Sequence, residues 1–180
     1  MRIERIVFVL DTHTAGEPTR IVLGGIPYLP GRTMIEKAEY FKDNLDYIRT
    51  ALILEPRGHK NSFGAVITPP VSENGHLGVF FIGGYGVSTG MCIHGSIGVV
   101  TAVIESGIIE KRKPTTVVNL DTPVGVVSGY ARIEDDTVRS VTVRNVPSFL
   151  YKSIVIDLPK VKRFNIPVDI SFGGNFYCIM

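Results

Sequence analysis

The sequence predicts an α+β domain in which a strand-rich sheet, curled or closed into a barrel, surrounds one central buried helix. Three features predict it: many short apolar strands bounded by turn residues, an amphipathic helix over residues 33–50, and a helix over residues 94–106 with almost no polar side. A helix that is apolar on all sides is buried in a protein core or a membrane. Because the apolar run is too short to span a bilayer, a protein core is predicted.

The first part of the chain predicts two strands joined by a polar turn. Residues 3–10 contain a continuous apolar run, residues 11–18 are turn-forming, and residues 20–23 resume a strand. His13 lies in the predicted turn. It is either a catalytic side chain or a brace for the turn, and the brace is the commoner role because polar side chains near turns bond the adjacent backbone.

The clearest helix follows a turn-rich segment over residues 24–31. Thr33 and Glu36 have the spacing of a capping box, in which each side chain bonds the backbone of the other. Apolar residues then recur on one helical face, at Met34, Ala38, Phe41, Leu45 and Ile48. Charged residues cover much of the remainder, so this helix is predicted to lie outside the sheet with its apolar face inward.

The rest of the chain predicts further short strands, over residues 52–55, 63–68, 78–82, 115–120, 124–131, 140–143 and 153–158. Residues 169–175 weakly resemble residues 11–17, which indicates a repeated strand-turn-strand unit. We therefore expect an N-terminal domain over residues 1–165 and the start of a truncated second domain over residues 166–180. Since the chain stops within an apolar run, a truncated gene, an engineered fragment and a split protein all remain open.

Cys92 directly precedes the predicted buried helix, at its N-terminal end. The first N–H groups of a helix lack internal partners, and the helix dipole there favours negative charge. A thiol in this position is expected to be biased toward the thiolate, and the free N–H groups beside it can hold a carboxylate. This combination suits proton transfer at the carbon next to a carboxylate. The alternative is a small buried hydrophobic residue, which free cysteine commonly is.

The composition excludes several classes of protein. Hydrophobic residues make up 44% and charged residues 20%, and the net charge of +2 is too small to indicate nucleic-acid binding. Two cysteines do not make a disulfide framework, and no pair of Cys or His has the spacing of a zinc site, so no metal is expected. With neither a signal peptide nor a membrane span visible, a cytoplasmic protein is predicted.

Residues 91–97, Met-Cys-Ile-His-Gly-Ser-Ile, resemble the Met-Cys-Gly-His-Gly-Thr-Ile segment of the proline racemase and hydroxyproline epimerase family. Further segments resemble the same family in the same order, at residues 11–22, 56–59, 63–65, 120–125, 145–149 and 171–177. Members of that family have two similar domains with the active site in the cleft between them, and each domain contributes one cysteine. The resemblance covers nearly the whole chain and matches the first domain.

The resemblance implies one half of a diaminopimelate epimerase-like fold and a racemase or epimerase that needs no cofactor. Its small-molecule substrate would be proline or a hydroxyproline. Cys92 would be one acid/base, and the backbone around Ile93 and His94 would contact the substrate carboxylate, with Phe63 and Thr89 also binding the substrate. Phe63 is equally a core aromatic by its place on a strand. Arg57 and His59 are either pocket residues or solvated charges of a loop.

Two departures from the family pattern bear on the activity. Ile93 stands where the family usually has glycine, and a β-branched residue is stiffer and larger there. The partner cysteine of the second domain is missing, so the chain alone is expected to be inactive in inversion, which needs a base on each face of the carbon. A trans-3-hydroxyproline dehydratase half, a non-catalytic remnant and thiol redox sensing remain alternatives. Apolar surface left uncovered by the missing half predicts a homo-oligomer.

Overall fold

A computed structural model describes residues 3–157 and 165–180 of the 180-residue chain. In chain order the elements are β1 (Phe8–Thr14), β2 (Glu17–Gly24), α1 (Met34–Ile53), β3 (Phe63–Thr68), β4 (Leu77–Gly83), β5 (Gly86–Ser88), α2 (Ile93–Glu105), β6 (Thr115–Thr122), β7 (Gly125–Glu134), β8 (Thr137–Arg144), β9 (Phe149–Ile156), β10 (Ile166–Phe172) and β11 (Phe176–Ile179). The predicted α+β class is confirmed. The chain divides into two units, Met1–Arg144 and Asn145–Met180.

The first unit is built on a mixed sheet with the strand order β1-β2-β3-β4-β6-β7-β8. The pairs β2–β3 and β4–β6 are parallel and the other pairs along this path are antiparallel. β5 pairs with the end of β4, beyond the short stretch where β4 meets β6. The sheet is not closed, so the barrel that was one form of the predicted fold is wrong and the open sheet is what forms.

The two helices cover opposite faces of this sheet. Successive residues of a strand point to opposite faces, so neighbouring residues show which helix covers each face. On β2, Ile21 packs in the cluster around α2, whereas Val22 packs in the cluster around α1. α2 contacts both end strands, β1 and β8. A flat sheet of seven strands is about 29 Å wide, whereas a helix is only about 10 Å across. The sheet must therefore curl around α2, as predicted.

α2 begins at Ile93, one residue before the predicted start, and Cys92 is its N-cap. Its buried residues cover most of its circumference, at Gly95, Ser96, Gly98, Val99, Val100, Ala102, Val103 and Ile104. The remaining stripe contains Ile97 and Thr101, which are half-buried. The prediction of a central buried helix is confirmed. The helix ends as predicted before Gly107, whose φ of +77° is the left-handed conformation that favours glycine.

α1 has the predicted capping box: Glu36 N–H donates to Thr33 Oγ1 at 3.2 Å, and Thr33 N–H donates to the Glu36 carboxylate at 3.2 Å. The helix continues to Ile53, so the predicted strand over residues 52–55 is wrong. Ile53 is fully buried against the sheet, and this packing outweighs its β propensity.

Two charged residues of α1, Lys37 and Arg49, are buried instead of solvated. The Lys37 ammonium donates to the carbonyl of Pro69 at 3.1 Å. The Arg49 guanidinium donates to the carbonyl of Gly83 at 2.9 Å and pairs with Asp46 at 2.6 Å. These side chains join α1 to the loops at the two ends of the β3–β4 hairpin.

β1 and β2 form a hairpin that differs from the predicted boundaries. β1 starts at Phe8 and continues to Thr14, so the strand predicted over residues 3–10 and the turn predicted over residues 11–18 are wrong. The turn is only Ala15 and Gly16, with φ values of +51° and +96°, as tight two-residue hairpins require. Most of the polar residues that suggested a long turn are strand residues, and two of them, Thr12 and Thr14, lie against α2.

The second unit contains a three-stranded antiparallel sheet in the order β11-β10-β9. The strand-turn-strand predicted over residues 166–180 is present as β10 and β11. The sheet carries exposed aromatic side chains in mutual contact, Phe149 with Phe172 and Phe172 with Phe176. The division into domains at residues 165 and 166 stays a prediction. In the described part of the chain, neither helix is long and apolar enough to cross a membrane.

Candidate active site

The site lies at the N-terminal end of α2. The loop that leads to it starts at Gly83, whose carbonyl is held by Arg49, and passes through β5. Ser88 Oγ then accepts a hydrogen bond from Gly90 N–H at 3.2 Å. These bonds fix the chain that delivers Cys92 to the mouth of the buried helix.

Cys92 is half-buried and its backbone is held firmly. Its carbonyl accepts from both the N–H and the hydroxyl of Ser96, at 3.0 and 2.8 Å. Its Sγ atom lies 3.0 Å from Nδ1 of His94. The thiol therefore has a fixed position and an imidazole as its neighbour. A simple buried hydrophobic role for Cys92 does not explain this polar contact.

Burial raises the pKa of the Cys92 thiol above its ordinary value. The N–H groups of Gly95 and His94 act in the opposite direction but are outweighed, and the Glu17 carboxylate raises the pKa further. The expected bias toward the thiolate is wrong for this chain. Desolvation of the half-buried thiol thus outweighs the lowering effect of the helix N-terminus.

Thr14 and Phe63 hold the first turn of α2 from the strand side. Thr14 Oγ1 donates to the carbonyl of His94 at 3.0 Å. The Phe63 ring lies 4.8 Å from the His94 ring and 5.4 Å from the Phe81 ring, measured between centroids. A Cβ on Gly95 would lie 2.6 Å from the Phe81 ring and 2.9 Å from the Phe63 ring. Glycine at position 95 therefore allows the aromatic wall to approach the helix.

Two cavities border this wall, and Phe63 lines both. The larger, about 420 Å³, is also lined by Glu17, Lys60 and the hairpin turn over residues 83–88. The smaller, about 220 Å³, is lined by Arg57 and His59 together with residues of β1 and β2. Cys92 lines neither cavity.

Two charged side chains of the smaller cavity, Asp11 and Arg20, pair with each other. Arg20 binds the Asp11 carboxylate through two contacts of 2.8 Å, and its Nη1 donates to the carbonyls of Leu52 and Arg57 at 2.7 Å. This guanidinium holds the pKa of Asp11 below its usual range. Among the described residues, no cluster of three His, Cys, Asp or Glu is placed to hold a metal ion.

The structure brings three of the five predicted site residues together: Cys92, His94 and Phe63. Ile93 is the first residue of α2, with 43% of its surface exposed, and Thr89 is exposed in the preceding loop. The binding roles of all five stay predictions. The alternative role for His13 is confirmed, because its Nδ1 accepts from Gly16 N–H at 3.2 Å and braces the turn.

Two contributors were missed from the sequence, Thr14 and Glu17. Both lie in residues 11–22, one of the segments that resembles the proline racemase family. The match of this segment to the family is the signal in the sequence that points to them.

An open curled sheet around a buried helix, with a half-buried cysteine as N-cap, defines an α+β protein with a thiol at a helix N-terminus. The comparisons with known proteins agree with this class. Residues 9–180 match the proline racemase family, and the chain belongs to that family.

Three relatives illustrate the family. The chain is 43% identical to a proline racemase of Acetoanaerobium sticklandii and 42% identical to a trans-3-hydroxy-L-proline dehydratase of Bacillus cereus, in each case over 100% of this chain and 53% of the relative. The crystal structure of a hydroxyproline epimerase from Agrobacterium vitis, with bound trans-4-hydroxy-L-proline, matches with a TM-score of 0.87 and 31% identity over 99% of this chain and 52% of that one. The chain thus spans about half the length of these relatives.

Proposed function

We propose that this chain supplies one half of the active site of a cofactor-independent amino-acid racemase or epimerase that acts on proline or a hydroxyproline. The observation that carries the proposal is the place of Cys92, whose thiol stands at the N-cap of α2 beside the first N–H groups of the helix. Membership of the proline racemase family supports the substrate class.

In the proposed mechanism, the N–H groups at the start of α2, around Ile93 and His94, hold the substrate carboxylate. This neutralises the negative charge that develops on the adjacent carbon when its proton leaves. Cys92 Sγ exchanges the proton with that carbon. Burial raises the pKa of this thiol, so Cys92 must give up its own proton before Sγ can remove one from the substrate.

Inversion needs a second acid/base on the opposite face of the carbon. We propose that a second half-site supplies it, since the relatives are about twice as long as this chain. We also propose that residues 166–180 begin that second, truncated domain and that the first unit corresponds to half of a diaminopimelate epimerase-like fold. Exposed apolar side chains at Tyr85 and Ile93 support association into a homo-oligomer. A cytoplasmic location stays a prediction.

A dehydratase half is the second candidate, because the identity to the Bacillus cereus dehydratase is close to that for the racemase. In that reaction Cys92 would remove the α proton of trans-3-hydroxy-L-proline and hydroxide would leave from the adjacent carbon. Release of water from this substrate without α-carbon exchange of L-proline would favour this candidate.

Binding is tested by following the amide NMR signals of Ile93, His94 and Gly95 during titration with L-proline. L-prolinamide is the matched ligand, since it lacks only the carboxylate charge. We expect L-proline to shift these signals and L-prolinamide not to shift them. Equal shifts with both ligands, or none with either, would contradict the proposal that these N–H groups bind the substrate carboxylate.

Chemistry is tested by incubating the chain with L-proline and with trans-4-hydroxy-L-proline in deuterated water. We expect deuterium at the α carbon with retained configuration, because one base removes and returns the proton on one face. Cys92→Ser must abolish the exchange. Exchange that survives in Cys92→Ser, or no exchange in the folded parent, would contradict the assignment of Cys92. Inversion would instead indicate two Cys92 thiols paired across a dimer.

A further inference from the structure

Cys92 and His94 form a side-chain pair within the first turn of α2. Sγ and Nδ1 are 3.0 Å apart, which is hydrogen-bonding distance for a sulfur atom. The N-cap backbone does not need this contact, because Ser96 already holds the Cys92 carbonyl. The other ring nitrogen of His94, Nε2, is buried and has no partner within the part of the chain that the structure describes. Among the described residues, the polar contact of the imidazole ring is therefore the one between Nδ1 and the thiol.

His94 is also held in place, at its backbone by Thr14 and at its ring by Phe63. Thr14 binds the main-chain carbonyl of His94, and the Phe63 ring packs on the imidazole at 4.8 Å. A fixed ring loses little conformational freedom when it forms a hydrogen bond, so the contact with Sγ is preorganised.

We propose that His94 is a positioning residue for Cys92, whose Nδ1 accepts the thiol proton and then holds the thiolate as an imidazolium partner. The S–H bond breaks and an N–H bond forms, so a neutral pair becomes a thiolate–imidazolium pair without another reactant. Hydrogen bonds between ionised partners are about twice as strong as neutral ones. This inference rests on the proposed function, because the thiolate is the form of Cys92 that removes a substrate proton.

Other charged groups around α2 are accounted for by their own contacts. Glu17, on β2, opposes ionisation of Cys92. The remaining groups on β1, β2, β7 and β8, and at the far end of α2, lie in ion pairs or are exposed: Asp11 with Arg20, Arg132 with Glu134, Arg139 with Asp135, Glu105 with Lys111, and the exposed His13 and Arg144. His94 is the neighbour that the geometry assigns to Sγ.

The test measures the alkylation rate of Cys92 by iodoacetamide as a function of pH, in a Cys178→Ser background so that one thiol reports. The midpoint of this profile follows ionisation and is independent of how easily the reagent reaches the sulfur. In His94→Phe, which keeps a ring against Phe63 but removes Nδ1, we expect the midpoint to rise by about one pH unit, an about tenfold loss of thiolate near neutral pH. An unchanged midpoint in a variant with native circular dichroism overturns the proposal.

Three further variants keep the conclusion specific. His94→Asn retains a polar group near Sγ but cannot carry the proton, so we expect a midpoint between those of the parent and His94→Phe; a midpoint equal to the parent's overturns the proposal. His13→Asn removes a histidine that does not contact Cys92 and must leave the midpoint unmoved, whereas Glu17→Gln must lower it. The midpoint is measured without substrate. A negative result here therefore contradicts the role of His94 alone, whereas a negative exchange experiment contradicts the proposed function.

Discussion

Thr14 Oγ1 donates a 3.0 Å hydrogen bond to the carbonyl of His94, across a sequence separation of 80 residues. This bond ties the last residue of β1 to the first turn of α2. The β1–β2 hairpin is thereby fixed against the helix end that carries Cys92.

Thr14→Val tests the anchor itself, since valine has nearly the shape of threonine but no hydroxyl. We expect a loss of about 1 kcal/mol in the free energy of unfolding, the usual net value of one hydrogen bond. Urea denaturation measures it, and Thr14→Ser is the control because it keeps the donor. A Thr14→Val variant as stable as Thr14→Ser would show that the bond does not stabilise the fold.

Asp121 is 3% exposed, and its carboxylate accepts from the N–H of Val71 and from the N–H and hydroxyl of Ser72, each at 2.7 Å. Asp121→Asn removes the charge and places an amide donor where acceptors are needed. We expect a loss of about 2–3 kcal/mol in unfolding free energy, because bonds to charged groups are the stronger ones.

The matched control for Asp121 is Asp169→Asn, in which an exposed carboxylate accepts one bond from Ser153. We expect a change within about 0.5 kcal/mol there, as for most surface substitutions. Equal effects of the two changes, read by denaturant midpoints, would mean that the bonds of Asp121 are not what holds the loop of Val71 and Ser72.

Glu105 gives a pH-dependent prediction. The N–H of Val138 and then the Lys111 ammonium lower the pKa of its carboxyl in the folded chain. A lowered folded-state pKa means that the stabilisation is present above the unfolded value of about 4.3 and is lost as pH falls through the folded value. In Glu105→Gln, the free energy of unfolding should therefore fall less steeply than in the parent as the pH is lowered through the acid range.

Thermal unfolding across acid pH measures this slope. Glu110→Gln is the control, because Glu110 forms an exposed pair with Arg112. If the stability of Glu105→Gln depends on acid pH as that of the parent does, the contacts of Glu105 do not cause the loss of stability in acid.

Ile93→Gly tests the departure from the family pattern. Ile93 has a helical backbone and a partly exposed side chain next to Cys92, so glycine is not needed for the backbone, and the effect of isoleucine is expected to be its volume. We expect Ile93→Gly to increase Cys92-dependent deuterium exchange about tenfold, the value of roughly 1.4 kcal/mol of relieved crowding. Ile93→Ala separates volume from flexibility: if only glycine raises the rate, backbone freedom is the cause.

The capping box of Thr33 and Glu36, the all-round apolar character of α2 and the placement of Cys92 at its N-terminal end could be predicted from the sequence. Each depends on residues within a few positions of one another, whose interactions follow from helix geometry. The segment that contains Cys92 and His94, together with further segments in the same order, indicated the family by resemblance, and the family is confirmed.

Tertiary contacts decided the remainder. β1 continues to Thr14 because its polar side chains meet β2 and α2, and α1 continues to Ile53 because that side chain is buried on the sheet. The direction in which the pKa of Cys92 shifts depends on how far the thiol is desolvated. No local sequence pattern encodes that desolvation. The sequence by itself determined that a buried helix forms and that the thiol stands at its N-terminal end. Only the folded structure decided the environment of that thiol, because burial and long-range hydrogen bonds join residues far apart in the chain.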